Sequence, residues 1–136
     1  MPDKMPEQSG PVAFDKAANT GFKHFKNATR FSINGLTMAY RNEAAFRQEL
    51  GLFVISIPLA IWLGSSPLQW ASLIGVGMIV LIVELLNSGI EACIDRIGTE
   101  HHPLSGLAKD FGSAAVMLAL ALACLVWAAC LAERMW

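Results

Sequence analysis

The sequence predicts an all-α membrane protein in which three transmembrane helices follow an amino-terminal helix lying on the membrane surface. Three observations carry this prediction. Apolar residues make up 54% of the 136 positions, two stretches at 50–83 and 111–132 contain no charged residue, and seven of the ten lysines and arginines precede Leu50. About 20 apolar residues cross the roughly 30 Å hydrocarbon core of a bilayer, so the two stretches together can supply three spans.

The chain is predicted to form one membrane domain at 20–136, preceded by a tail at 1–19. The tail is polar and contains proline, which predicts disorder. Its composition does not resemble a cleavable signal, because the first apolar stretch begins far downstream. The formal net charge is only −1, so the charge balance does not indicate a nucleic-acid partner.

The predicted surface helix covers about 21–41. With Thr29 filling the one gap, its bulky side chains recur at steps of three and four, which places them on one face of a helix. The charged and amide side chains fall largely on the other side, as suits a helix in the interface of an anionic membrane. The bulky set is Phe22, Phe25, Ile33, Leu36 and Tyr40, and the polar set is Lys23, Lys26, Arg30, Asn34 and Arg41.

Turn signals divide the rest of the chain into spans at about 43–63, 68–97 and 106–132. The Gly-Ser-Ser-Pro sequence at 64–67 interrupts the first uncharged stretch and separates two antiparallel helices. Pro58 is tolerated inside the first span as a kink or packing site. The second turn region, 98–105, contains Pro103.

The distribution of basic residues predicts the orientation. The 64–67 turn has no lysine or arginine, whereas the amino-terminal segment is rich in them and Arg96 and Lys109 border the second loop. The positive-inside rule therefore places the amino terminus and the second loop on the cytoplasmic side of the membrane. Four tryptophans near the opposite side are typical interfacial anchors. These are Trp62, Trp70, Trp127 and Trp136.

A polar stripe emerges from the second span. Its residues are spaced by three and four and therefore share one helix face. Counted from Leu68, Glu84 lies roughly 24 Å along the helix, about 6 Å before the far edge of the hydrocarbon, and Glu91 lies about 10 Å further on. Carboxylates at membrane depth are usually functional, although polar stripes also hold helices together. The stripe is Glu84, Asn87, Ser88, Glu91 and Asp95.

Three blocks of this sequence resemble the prokaryotic diacylglycerol kinase family, with matching spacing over about 19–127. The segment at 84–95 is similar to the family signature, and Asn-Glu-Ala-Ala-Phe-Arg-Gln-Glu at 42–49 is similar to the start of its first membrane helix. The third block resembles the second loop and the start of the third helix. It comprises 95–98, Glu100, His102, 104–106 and 108–110.

The resemblance implies a homotrimer with active sites between subunits, in which ATP phosphorylates diacylglycerol to phosphatidic acid with Mg²⁺. By this resemblance Glu84 is the general base, and Asn87 orients the site. The implied metal ligands are Glu43 and Glu91, and Lys109 neutralises phosphoryl charge. The implied nucleotide contacts are Glu100, His102 and Asp110, and the implied lipid contacts are Arg47, Gln48 and Ser113.

The residues support this chemistry on their own. Phosphoryl transfer needs positioning and charge compensation more than covalent chemistry, and magnesium prefers carboxylate and phosphate oxygens. The sequence contains no Gly-x-x-x-x-Gly-Lys loop. Three positions of the surface helix depart from the family pattern. These departures affect the part of ATP binding that the family pattern assigns to the amino-terminal segment. They are His24 for arginine, Phe31 for tyrosine and Ile33 for tryptophan.

Three other functions are compatible with parts of the pattern. An undecaprenol kinase would use the same fold and chemistry on a polyprenyl alcohol, although the run at 44–49 is more like the diacylglycerol branch. A small proton-coupled transporter would use Glu84 as a relay, but such proteins favour four spans and an acid nearer the bilayer midplane. A scaffold without catalysis would use Glu43 and Glu91 in assembly alone.

Overall fold

The computed structural model describes residues 21–98 and 100–136, so the predicted tail at 1–19 lies outside the described residues. Within these ranges all regular structure is helical. The helices are α1 (Phe22–Asn42), α2 (Ala44–Leu63), α3 (Pro67–Ile97) and α4 (Pro103–Met135). Helices α2, α3 and α4 are long and apolar enough to cross a membrane. The predicted all-α architecture with three span-length helices is confirmed.

The helix lengths differ in a way that matters for the site. Helix α2 has 20 residues, or about 30 Å, which matches the hydrocarbon thickness. Helix α3 has 31 residues and α4 has 33, so each extends by more than 15 Å, about ten residues, beyond that thickness. Helix α4 starts at Pro103, three residues before the expected 106, because proline suits the first helical position and His102 supplies the cap.

Helix α3 is the central element, since it packs against both α2 and α4. The core is small and lies where α2 ends and α3 begins, around Ala60, Leu63 and Leu73. Val126 and Trp127 of α4 pack against it. Many apolar side chains on the outer faces are exposed, including Leu52 at 66% and Leu125 at 67%. Such a surface suits contact with lipid or other transmembrane helices rather than water.

Helix α1 shows internal hydrogen bonds typical of a regular helix. The hydroxyl of Thr29 donates to the Phe25 carbonyl at 2.9 Å, and that of Ser32 donates to the Ala28 carbonyl at 2.9 Å. Large apolar side chains along α1 are exposed, with Phe22 at 82% and Ile33 at 60%. The helix therefore presents an apolar surface of the kind that contacts a membrane or another protein.

The connection between α2 and α3 is closely hydrogen-bonded. The Ser66 hydroxyl caps α3 by accepting a hydrogen bond from the backbone N–H of Gln69 at 3.2 Å. The side-chain oxygen of Gln69 accepts one from the backbone N–H of Ser65 at 2.7 Å. The Trp70 indole donates to the Gly64 carbonyl at 2.8 Å. A Cβ on Gly64 would overlap the Trp70 ring, so glycine is required there. We call this region, 62–70, the turn end of the bundle.

Candidate active site

The polar stripe on α3 enters the protein at Glu84. Glu84 is the buried charged residue of the described chain, with 5% of its surface exposed. Asn87 and Glu91 follow on the same face and are half-buried, whereas Asp95 is exposed. The stripe therefore leads from an enclosed carboxylate to water within three helical turns, as its spacing predicts.

Three other carboxylates lie near Glu84. It lies within electrostatic range of Glu91 on its own helix and of Glu43 where α2 begins. Glu49, on the second turn of α2, is also within electrostatic range of Glu84. Ionised carboxylates within electrostatic range repel one another unless a bound cation or a proton offsets their charge. We call this cluster, Glu43, Glu49, Glu84 and Glu91, the acid end of the bundle.

Glu43 reaches the cluster from the junction between α1 and α2. It occupies the N-cap position of α2 with extended backbone angles, and its side chain makes no capping hydrogen bond. The negative charge of a glutamate at this position interacts favourably with the positive end of the α2 dipole, even without a capping hydrogen bond. Its carboxylate thus remains available for a ligand.

Asn87 connects α3 to α4. Its side-chain nitrogen donates to Glu91 Oε1 at 3.2 Å, which orients that carboxylate. Its side-chain oxygen, Oδ1, is buried and has no hydrogen-bond partner within the described protein. The side chain fits against Gly112 of α4, where an added Cβ would overlap Oδ1 and lie 3.1 Å from Cγ. Glycine at 112 thus allows α4 to approach the amide.

A cavity of about 430 Å³ lies beside the acid end, at the α3–α4 loop. Three of the predicted site residues line it, namely Glu100, His102 and Lys109. The Lys109 ammonium forms an ion pair with Asp95 Oδ1 at 2.7 Å. His102 Nδ1 accepts from the Leu104 amide at 3.2 Å, so this histidine also caps α4. The cavity is open, and charged and histidine side chains form part of its wall, as suits a water-soluble ligand.

The remaining predicted site residues lie apart from this cavity lining. Asp110, Ser113 and Gln48 are exposed on the helices. Arg47 Nη1 donates to the carbonyls of Tyr40 and Arg41, at 3.1 Å each, and so caps the end of α1. The three departures from the family pattern, His24, Phe31 and Ile33, are exposed on α1.

Sequence reasoning assigned no role to three residues that the structure brings to the site. Glu49 has a buried carboxylate oxygen without a partner in the described protein, and it lines an apolar cavity of about 130 Å³ with Ser56 and Gly77. Its signal in the sequence is an acid inside a membrane-length helix. Asp95 and His101 line the larger cavity. The spacing of the polar stripe already included Asp95, whereas His101 is indicated only by its place in the second loop.

The helices and the site define a class: multi-pass membrane proteins whose acidic residues meet at one end of a helical bundle, near a cavity lined in part by charged and histidine side chains. Comparison with known proteins narrows it. The family model for prokaryotic diacylglycerol kinase matches residues 30–131. The chain is 47% identical over 108 residues to a diacylglycerol kinase of Haemophilus influenzae, covering 79% of this chain and 92% of the relative.

Two further relatives agree. The diacylglycerol kinase of Escherichia coli (strain K12) is 48% identical over 108 residues, covering 79% of this chain and 88% of the relative. The diacylglycerol kinase of Pseudomonas aeruginosa is 50% identical over 109 residues, covering 80% of this chain and 89% of the relative. The chain belongs to the prokaryotic diacylglycerol kinase family, and it is a multi-pass membrane enzyme. The resemblance found in the sequence is confirmed.

Proposed function

We propose that this protein transfers the γ-phosphoryl group of ATP to the free hydroxyl of diacylglycerol, forming phosphatidic acid at the membrane boundary. One observation carries the proposal. A buried carboxylate, Glu84, ends an apolar stretch of α3 and lies within electrostatic range of Glu43 and Glu91, which are more accessible. A lipid alcohol and a water-soluble triphosphate can both reach such a position.

Glu84 is suited to be the general base. The lipid hydroxyl oxygen forms a bond to the γ-phosphorus while the bond from that phosphorus to the ADP oxygen breaks. The hydroxyl proton passes to the Glu84 carboxylate. Enclosure of the carboxylate on the bundle side excludes competing water.

Glu43 and Glu91 would hold Mg²⁺. Their oxygen donors fit the preference of this ion for carboxylates and phosphate oxygens. Asn87 orients Glu91 through its 3.2 Å hydrogen bond, and Glu43 has no capping hydrogen bond to give up. When bound, the ion offsets negative charge on the triphosphate oxygens.

The cavity at the α3–α4 loop supplies the nucleotide side of the site. Lys109 can donate to the phosphoryl oxygens, and Glu100 and His102 line the same cavity. Asp110 follows Lys109 and completes the proposed nucleotide contacts. Arg47, Gln48 and Ser113 belong to the lipid side in this proposal, and their positions on membrane-length helices support it.

The proposed assembly is a homotrimer in the bacterial inner membrane with a cytoplasmic amino terminus. The small core and the exposed apolar faces of α2–α4 support association with copies of the chain as well as with lipid. The exposed aromatic side chains of α1 support its role as a surface helix. The three basic residues Lys23, Lys26 and Arg30 on α1 support the orientation.

A single assay tests the proposed activity. Purified protein in mixed micelles is given ATP labelled at the γ-phosphate together with diacylglycerol, ceramide or undecaprenol. We expect labelled phosphatidic acid to form fastest, and only when Mg²⁺ is supplied. Faster labelling of undecaprenol would assign the polyprenol as substrate, and the absence of any lipid labelling would reject the kinase proposal.

A further inference from the structure

The ion pair between Lys109 and Asp95 joins α3 to α4 at the mouth of the loop cavity. Lys109 Nζ lies 2.7 Å from Asp95 Oδ1, and both residues line the cavity. An ammonium group has three N–H donors, so this contact leaves two for another acceptor. Lys109 can therefore remain bound to Asp95 while it contacts a phosphate.

The exposure of the pair indicates that it is not mainly a folding interaction. The side chains of Lys109 and Asp95 are 41% and 68% exposed. Ion pairs in water at this exposure contribute little to stability, because solvent screens the charges and long side chains lose freedom. What the pair does achieve is to fix where the lysine ammonium lies.

A second acid competes for the same lysine. Glu91 precedes Asp95 by four residues, so the two carboxylates lie on the same face of α3. Glu91 is also within electrostatic range of Lys109. In the structure Glu91 nevertheless accepts a hydrogen bond from Asn87, and Lys109 pairs with Asp95. The flexible lysine side chain thus takes the more exposed of its two nearby acids.

We infer that Asp95 is a positioning residue that holds Lys109 away from Glu91, so that Glu91 stays available to a divalent cation. The inference rests on the proposed function, in which Glu91 is a metal ligand. Without Asp95, the ammonium would turn to Glu91 and neutralise it. Metal and ammonium would then compete for one carboxylate.

Cation binding in the absence of turnover tests this inference. Mn²⁺ binding to the purified full-length protein is measured by electron paramagnetic resonance, with a non-hydrolysable ATP analogue present. We expect Asp95→Asn to raise the Mn²⁺ dissociation constant about fivefold. Lys109→Gln alone removes a proposed phosphate contact and should raise the dissociation constant by about twofold, whereas in the Asp95→Asn background the same change should lower it.

The coupling between the two changes distinguishes positioning from a general effect of charge. A long-range electrostatic effect would be additive, because each change would act regardless of the other. Arg96→Gln combined with Lys109→Gln is the matched control, since Arg96 is an exposed neighbour of Asp95 outside the site. This pair should be additive.

The outcomes separate the inference from the proposed function. Wild-type Mn²⁺ binding with additive effects of Asp95→Asn and Lys109→Gln would overturn the inference alone. No Mn²⁺ binding by the wild type would overturn the metal role of Glu91 and the inference with it. Coupled effects would establish Asp95 as the residue that places Lys109, and Asp95→Glu should then restore Mn²⁺ affinity.

Discussion

The two ends of the helical bundle satisfy their polar groups to different degrees. At the turn end, Gln69 donates to Glu133 Oε2 at 2.8 Å, and Arg134 donates to the carbonyls of Trp62 and Leu63. The Arg134 guanidinium also lies 4.6 Å from the centre of a Trp62 ring. These contacts attach the last turn of α4 to the connection between α2 and α3.

The acid end shows the opposite arrangement. Glu49 Oε2 and Asn87 Oδ1 are buried without hydrogen-bond partners in the described protein. The carboxylates of Glu43, Glu49 and Glu91 lie within electrostatic range of Glu84. A buried polar group without a partner costs about 1–3 kcal/mol. The comparison indicates that hydrogen bonding at the turn end stabilises the bundle, whereas the acid end leaves buried polar groups without partners among the described residues, as is common at functional sites.

The largest effect is expected from Glu84→Gln. Loss of the proposed general base should lower the initial rate of phosphatidic acid formation by about 10²- to 10⁴-fold. The thermal stability of the protein should not fall, because a neutral amide replaces a buried charge. Glu133→Gln, which removes an acid at the turn end, is the control and should retain activity. Unaltered phosphotransfer in Glu84→Gln would remove Glu84 from the role of base.

Gly112→Ala should have a smaller effect on both activity and stability. The added methyl group would displace the Asn87 amide, which orients Glu91, so we expect about a tenfold loss of activity and about 1–3 kcal/mol of destabilisation. Gly75→Ala on α3 is the matched control, since nothing lies within 4 Å of its Cβ position. Equal behaviour of the two variants in rate and unfolding measurements would contradict the proposed packing of Asn87.

Arg134→Gln should have the smallest effect, and it should be confined to stability. Removing the hydrogen bonds to the end of α2 should lower the free energy of unfolding by about 1 kcal/mol. Activity per folded protein should stay the same, because Arg134 is at the end opposite to the acids. The measurement is denaturation in detergent followed by activity of the surviving fraction. A loss of activity without a loss of stability would show that the two ends are not independent.

The sequence was sufficient for the features that depend on local pattern. The lengths of the apolar stretches predicted the three long helices, and the spacing of Glu84, Asn87 and Glu91 predicted their shared face. The start of α4 was misplaced by three residues because the cap formed by His102 depends on a side-chain hydrogen bond that no periodicity reveals. Such boundaries are set by individual contacts.

Features that depend on helix rotation could not be predicted from the sequence. The contact between Asn87 and Gly112 joins residues 25 positions apart, and it exists only because one face of α4 turns towards α3. The same holds for the approach of Glu49 to Glu84 and for the pairing of Lys109 with Asp95 rather than Glu91. Tertiary packing decides these neighbours, whereas a one-dimensional pattern gives only the face.

The unbroken course of α3 also makes the protein sensitive to bilayer thickness. From Pro67 at its capped start to Glu84 the helix rises about 25 Å within one continuous element. A membrane whose hydrocarbon is thinner than this span would leave Glu84 in the aqueous phase, and a thicker one would sink it away from the nucleotide. The length of α3 between these residues thus sets the depth at which the proposed base, Glu84, lies in the membrane.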